Sequence, residues 1–391
     1  MNQPLESYQD EIYLSGLGGA TPVLPARLAA LEELARDQMA PESFDYICGG
    51  AGTEDSVREN LAAFGRWRIV PRMLTDVSAP SYASTVLGTR LDAPFLLGPV
   101  GVLRLAHPDG EVAVARAAAA AGVPMVLSTA ASYPIEEVAA ANGDGQRWFQ
   151  LYWPKDRDLA ASFLDRAAAA GFTVLVLTLD TRLLGYRPRD LDRAFLPFLR
   201  GIGNQNYFTD PVFAARLGGP PEENKDAAIL QWVATFGDPS LTWDDLPFLQ
   251  EHWEGPIVLK GIQCVQDAKR AADAGMDGIV VSNHGGRQVD GGIAALDALP
   301  AIAAAVGSRL TVLFDSGIRG GADMIKALAL GAQAVLIARP YAYALGLAGQ
   351  DGVQHVLRAL RNDFELTMRL SGFASLADLI PGAVVRAGQP V

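Results

Sequence analysis

The chain has 391 residues and is poor in the side chains that build disulfide frameworks and metal centres, with two cysteines and four histidines. Cys48 and Cys264 lie far apart and belong to no C-x-x-C or mixed Cys/His cluster. Neither a disulfide framework nor a zinc site is expected from them. Basic runs are missing as well. With 32 Lys and Arg against 44 Asp and Glu the formal net charge is −12. That excludes the clustered basic face needed for nucleic-acid phosphates or anionic lipid. The acidity reads as a solvated surface that keeps the protein soluble. No apolar run reaches the roughly 18 residues of a membrane span. The N-terminal MNQPLESYQDEIYLSG lacks the basic-then-apolar layout of a secretory signal. A reducing cytoplasm is the expected compartment.

What the chain has in quantity is apolar residues, 50% of the total against 19% charged, enough for a large core. They recur as short runs: FLLGPV (95–100), PMVLST (124–129), RWFQLY (147–152), TVLVLTLD (173–180), PIVLKGI (256–262), GIVVSNH (278–284), LTVLFDSG (310–317) and AVLIAR (334–339). Each is continuously apolar rather than alternating, the pattern of a parallel strand covered on both faces. Between them lie alanine-rich stretches such as DGEVAVARAAAAAG and RDLAASFLDRAAAAG, with a Gly near the C-cap. Eight strands alternating with helices fit a closed (β/α)₈ barrel, the TIM barrel of the α/β class, better than an open doubly wound sheet. No G-x-G-x-x-G follows an early strand, which removes the usual dinucleotide fingerprint.

Two regions break the rhythm, within what reads as one domain over residues 1–391. Residues 1–90 form an N-terminal helical extension with a helix in PARLAALEELARDQM, capped before Pro41. The barrel is expected over 91–345 and a C-terminal helix and tail over 346–391. The stretch 181–245 is too long for an ordinary βα loop. It holds Phe195, Phe198, Tyr207, Phe208, Phe213 and the Pro/Glu-rich GGPPEENKD, too little apolar material for a core of its own. We read it as a lid over the barrel mouth.

Chemistry in such barrels sits where strands end. Those ends carry Ser128, Gln150, Tyr152, Thr178, Asp180, Lys260, Ser282, His284, Asp315 and Arg339, all expected on one face. The stretch VSNHGGRQ gives the sharpest pair. His284 can take a proton near neutral pH, Arg287 matches a carboxylate with two parallel bonds, and the glycines allow close ligand approach. Of the other histidines, His107 reads as a turn residue before a helix, and His252 and His355 as helix-surface positions. Asp180 either orients His284 or caps a helix. Lys260 is either a Schiff-base lysine, which would make a lyase without flavin, or a fixed positive charge. DSGIRGG (315–321) and ARP (338–340) supply glycines and two arginines after the last two strands, where barrels commonly hold a phosphate.

With these motifs, SNHGGRQ above all, the chain resembles the FMN-dependent α-hydroxy-acid dehydrogenase/oxidase family, from FDYICGGAGTED to LIARP. The resemblance implies FMN as cofactor and no metal, a small L-2-hydroxy acid and O₂ as small-molecule partners, and a homo-oligomer, tetramer or octamer. It implies His284 as base, oriented by Asp180, with Arg287, Arg187 and Tyr46 on the substrate carboxylate and Tyr152 on its hydroxyl. Pro99, Val100, Gly101, Ser128, Gln150, Thr178 and Ser282 would surround the flavin ring, with Lys260 near its N1 edge. Asp315 would hold the ribityl chain, and Ser316, Gly317, Arg319, Ala338 and Arg339 the phosphate end. The lysine is thereby a fixed charge. Two departures stand out: Ala130 replaces the tryptophan of glycolate oxidase, opening space beside the substrate side chain, and Ala338 stands where several relatives have Gly. The long segment, with RPRDLDRAFLPFLRGIGNQNYF and LTWDDLPFL, looks most like that of lactate 2-monooxygenase. Its acidic, Pro-rich content with only scattered aromatics differs from the membrane-anchoring insertion of other relatives.

Overall fold

A computed structural model describes residues 7–389; the first six residues of the polar N-terminus and the last two lie outside the described residues. Eight parallel strands close in chain order: β1 (Phe95–Leu97), β2 (Met125–Ser128), β3 (Arg147–Leu151), β4 (Leu175–Thr178), β5 (Ile257–Ile262), β6 (Gly278–Val281), β7 (Thr311–Phe314) and β8 (Ala334–Ile337), with β8 pairing β1. Every apolar run becomes a strand. The strands stop short of the run ends because the next residues leave extended geometry: His284 and Ser316 have φ of 57° and 82°.

The two covered faces explain the continuous apolar runs. One cluster fills the barrel interior with Leu96, Val126, Trp148, Val176, Val258, Val280, Leu313 and Leu336, one from each strand. The hairpin Ser84–Val86/Thr89–Leu91 contributes Val86 and Leu91 to that cluster, and Trp148 Nε1 donates to Thr89 Oγ1 at 2.8 Å. The outward residues join a larger cluster under the helices. Side chains alternate along a strand, so the next inward layer lies two residues on. It reads Gly98, Ser128, Gln150, Thr178, Lys260, Ser282, Asp315 and Ala338. The interior thus changes from apolar to largely polar within one repeat.

The N-terminal region differs in detail from its sequence pattern. Leu28–Ala30 forms a 3₁₀ turn leading into a helix at Leu31–Gln38, and Pro41 then starts a second helix, Pro41–Cys48. Proline suits that first helical position, where no N–H is needed. His355 is not a surface residue: it is buried in the helix Arg339–Leu370, its Nδ1 2.8 Å from Tyr8 Oη and its Nε2 3.1 Å from the Pro25 carbonyl. His252 is half-buried, its ring stacked on Phe248 at 4.1 Å.

The aromatics of residues 181–245 are scattered in sequence but gathered in space. Trp232 stacks on Phe198 and Phe236 at 4.6 and 4.7 Å, and Tyr207 meets Trp232 edge-on at 6.2 Å. Tyr207 also packs at 4.9 Å against Phe163 of the barrel helix Arg157–Ala169. Asn206 Nδ2 donates to the Thr129 carbonyl at 3.0 Å, just past β2. The segment is fastened onto the barrel instead of folding on its own. Among the described residues no helix is long and apolar enough to cross a membrane.

Candidate active site

At the C-terminal ends of the strands lies a cavity whose empty space, open mouth included, is about 1170 Å³. Each strand end sends a residue to its lining: Gly98, Ala130, Tyr152, Thr178, Lys260, His284, Asp315 and Ala338. Tyr46, Pro99, Val100, Gly101, Arg187, Arg287, Ser316, Gly317, Arg319 and Arg339 line it too. Four expected residues do not line it directly but bond to neighbouring side chains: Asp180 to His284, Ser282 to Lys260, and Ser128 and Gln150 to each other.

His284 Nδ1 lies 2.7 Å from Asp180 Oδ1 and 3.3 Å from Thr181 Oγ1. A carboxylate at that distance fixes the proton on Nδ1 and leaves Nε2 as the basic nitrogen. No helix starts at Asp180; the next one begins at Pro188, so the N-cap role does not apply. Burial works to raise the Asp180 carboxyl, but the His284 ring, their hydrogen bond and the Lys260 charge outweigh it and hold it below its usual value. Burial is also the main influence on His284 and lowers it, with Asp180 pulling partly back. The site therefore holds a neutral imidazole beside an ionised carboxylate.

Arg287 Nη1 donates to the carbonyls of Tyr46 and Gly49 at 2.7 Å each, and its guanidinium lies 5.1 Å from the Tyr46 ring centre. Arg187 Nε donates to the Arg287 carbonyl at 3.2 Å. Neither arginine has a carboxylate partner among the described residues. Burial and the like charge of Arg187 push Arg287 down to about 10. Two cations held together without an anion form a ready site for a carboxylate. The Tyr152 ring packs against Phe236 at 5.5 Å, and burial with the nearby Asp180 charge pushes its phenol up to about 12.

Lys260 Nζ is 2.9 Å from Asp315 Oδ2 and donates to Ser282 Oγ at 2.9 Å. Burial works to lower this lysine, yet the charges of Asp315 and Asp180 outweigh it and raise it. It is a fixed cation, the opposite of a Schiff-base lysine, which must lose its proton.

The remaining donors suit FMN. Ser128 Oγ donates to Gln150 Oε1 at 2.8 Å, leaving the buried Gln150 Nε2 unpartnered. A buried amide donor of this kind needs a partner. Arg319 and Arg339 line the same cavity with no carboxylate partner among the described residues. Burial lowers Arg319, as expected of a cation waiting for an anion. Arg339 is braced by the carbonyls of Ile47, Gly49 and Gly285 at 3.3, 3.1 and 2.9 Å. Uncharged donors in the middle and cations at one end match a flavin ring and its phosphate.

Three features escaped the sequence reading. Thr181 shares His284 with Asp180. Asn60 and Asn283 exchange amide hydrogen bonds of 2.7 and 2.9 Å beneath the His284 loop. Phe236 and Leu184 join Phe198, named in the expected lid, in the lining, far from any strand end. Only the polar types of Thr181 and Asn283, flanking known strand ends, could have drawn attention to them.

Known proteins resemble the chain over most of its length. Residues 35–386 match the family model described as FMN-dependent dehydrogenase. An "FMN-dependent alpha-hydroxy acid dehydrogenase qulF" from Penicillium citrinum is 46% identical, over 98% of this chain and 96% of its own. An L-lactate oxidase from Nostoc sp. is 45% identical over 91% and 96%. A crystal structure of mandelate oxidase superposes with a TM-score of 0.81 at 40% identity, covering 91% of this chain and 97% of that one.

Proposed function

The chain belongs to the FMN-dependent dehydrogenase family, and from that premise we propose that it oxidises L-lactate with O₂, retains the pyruvate and decarboxylates it to acetate. FMN is its cofactor and α-hydroxy-acid oxidation its reaction class. When bound, FMN would supply the two-electron acceptor for α-carbon oxidation and the redox link to oxygen. Pro99, Val100, Gly101, Ser128, Gln150, Thr178, Lys260 and Ser282 would hold its ring, and Asp315 its ribityl chain. Ser316, Gly317, Arg319, Ala338 and Arg339 would hold its phosphate.

The chain's own residues then act on the acid. Arg287 and Arg187, with Tyr46, hold the carboxylate, and Tyr152 bonds the hydroxyl. This fixes the α-carbon in one orientation. His284 accepts the substrate proton through Nε2, and Asp180 stabilises the imidazolium that results. Lys260 supplies a positive charge where negative charge develops. Lactate and O₂ give pyruvate and H₂O₂; these give acetate, CO₂ and water, so the overall reaction is C₃H₆O₃ + O₂ → C₂H₄O₂ + CO₂ + H₂O.

The observation that carries the retention step is the aromatic lining from the long segment: Leu184, Phe198 and Phe236 face the cavity, and Trp232 backs the two phenylalanines. An apolar wall beside the bound product slows its escape and limits the approach of water. Ala130, also in the lining, leaves room beside the substrate side chain. The test is product analysis after aerobic turnover of L-lactate. Acetate equal to O₂ consumed, with little free peroxide, is expected. Equal pyruvate and peroxide would make the chain a lactate oxidase, the second reading, favoured by relatives at 41 and 45% identity that bear that name. A lyase working through Lys260 is set aside by its raised pKa and by the family.

A further inference from the structure

We propose that Gln288 is a positioning residue of the carboxylate clamp, a neutral strut that fixes Arg187 while leaving its positive charge for the substrate. This rests on the reading of Arg187 and Arg287 as the clamp.

Gln288 follows Arg287 directly and sends its side chain away from the barrel strand, onto the first stretch of the long β4–β5 segment. Its Oε1 accepts from Arg187 Nη2 at 2.8 Å and from the Gly185 amide at 3.4 Å. Its Nε2 donates to the carbonyls of Asp180 and Leu183 at 2.7 and 2.9 Å. All four partners lie between residues 180 and 187, and the partners dictate the amide's orientation. Flipped, it would set its oxygen against two carbonyls and its NH₂ against a guanidinium.

The contact is close and specific. A methyl at Gly185 would come within 2.4 Å of the Arg287 carbonyl oxygen and 3.0 Å of Gln288 Cα, so the two main chains touch. One amide therefore couples the residue that orients the base with one arm of the clamp. It does so without charge. Arg187 is only 7% exposed and meets no carboxylate among the described residues. A carboxylate in the Gln288 position would pair with it, competing with the substrate, and would take this donor away from the Asp180 and Leu183 carbonyls.

Gln288→Glu keeps the shape and changes only this. The measurement is binding of oxalate, a planar dicarboxylate probe, to the purified holoenzyme, followed by the flavin absorbance. Affinity is expected to fall tenfold or more, and to recover in part as the pH drops and the new carboxyl takes a proton. Binding within twofold of the parent across that range overturns the proposal, since a packing role alone tolerates an isostere. Where Gln288→Glu fails to retain flavin, Gln288→Asn serves: too short to reach Arg187 and the Asp180 carbonyl together, it should raise KM for lactate tenfold or more while kcat falls by less. An unchanged KM overturns the proposal. Oxalate binding to the parent enzyme separates this test from the proposed lactate reaction, which could fail on its own while the clamp still holds.

Discussion

In one part of the cavity lining, Arg187, Arg287, His284 and Lys260 are held by individual hydrogen bonds and ion pairs of 2.7–3.2 Å, most of them to loops after the barrel strands. In another part, Phe198 and Phe236 are held by ring stacking on Trp232, within a segment that no strand registers. The first kind of lining is all-or-none, because removing one atom leaves a buried partner unsatisfied. The second is graded, since stacking is spread over many weak contacts. Loss of the polar lining should abolish the reaction; loss of the aromatic lining should change what leaves the site.

The largest effect is expected from His284→Gln, which removes the proposed base and leaves the proposed donors for FMN in place. Turnover of lactate should fall about 10³–10⁴-fold, at the upper end for general-base loss, while the purified protein stays yellow and keeps its flavin absorbance. Asp180→Asn comes next, with kcat down about 10²–10³-fold, because the imidazolium loses its stabilising charge and the ring its fixed tautomer. Arg287→Met should raise KM for lactate about 10–100-fold, the value of one or two charge-assisted hydrogen bonds, with a smaller change in kcat. If Phe236→Ala behaved like these three, the contrast between the linings would collapse. The expected outcome is instead a few-fold rise in free peroxide and pyruvate per turnover, read by a peroxidase-coupled assay, with kcat within about threefold, as for loss of a gating contact.

The pH profile sharpens the same point. Because burial lowers His284 below its ordinary 6.5, the neutral base persists on the acid side. The acid limb of kcat/KM for lactate should fall off below pH 6.5, where His284 becomes protonated. Asp180→Asn should move that limb further down, since the carboxylate is what pulls the histidine back up. A limb that stays in place would separate the acid dependence from His284.

All eight strands were legible because residues buried on both faces leave a run that no loop imitates, as in GIVV and TVLF. The strand-end polar residues were legible for the same reason, since Lys260 or Asp315 has no packing use at the end of such a run. The strand limits were not, because an apolar or polar letter does not reveal a left-handed residue such as Ser316. His355 looked solvated because its helix carries polar neighbours, and only the chain brought back at Tyr8 and Pro25 covers it. That the lid aromatics gather into one cluster was not legible, because Phe198, Tyr207, Trp232 and Phe236 follow no single period over their 39-residue span. Gln288 was visible within SNHGGRQ, but its four partners are separated from it by about a hundred residues.

The backbone at His284 has a consequence for how this enzyme could change. Three successive residues, His284, Gly285 and Gly286, hold φ of 57°, 64° and 77°. Two glycines adopt that region freely, and histidine only at some cost. The turn is kept in shape from outside: Ser316 Oγ accepts from the Gly285 amide at 3.0 Å and Asn283 Oδ1 from the Gly286 amide at 3.2 Å. Selection for a sturdier fold would favour glycine or asparagine at 284, and either would remove the proposed base. Position 284 is thus a point where folding and turnover pull against each other, and thermostabilised variants of this chain should be checked there first.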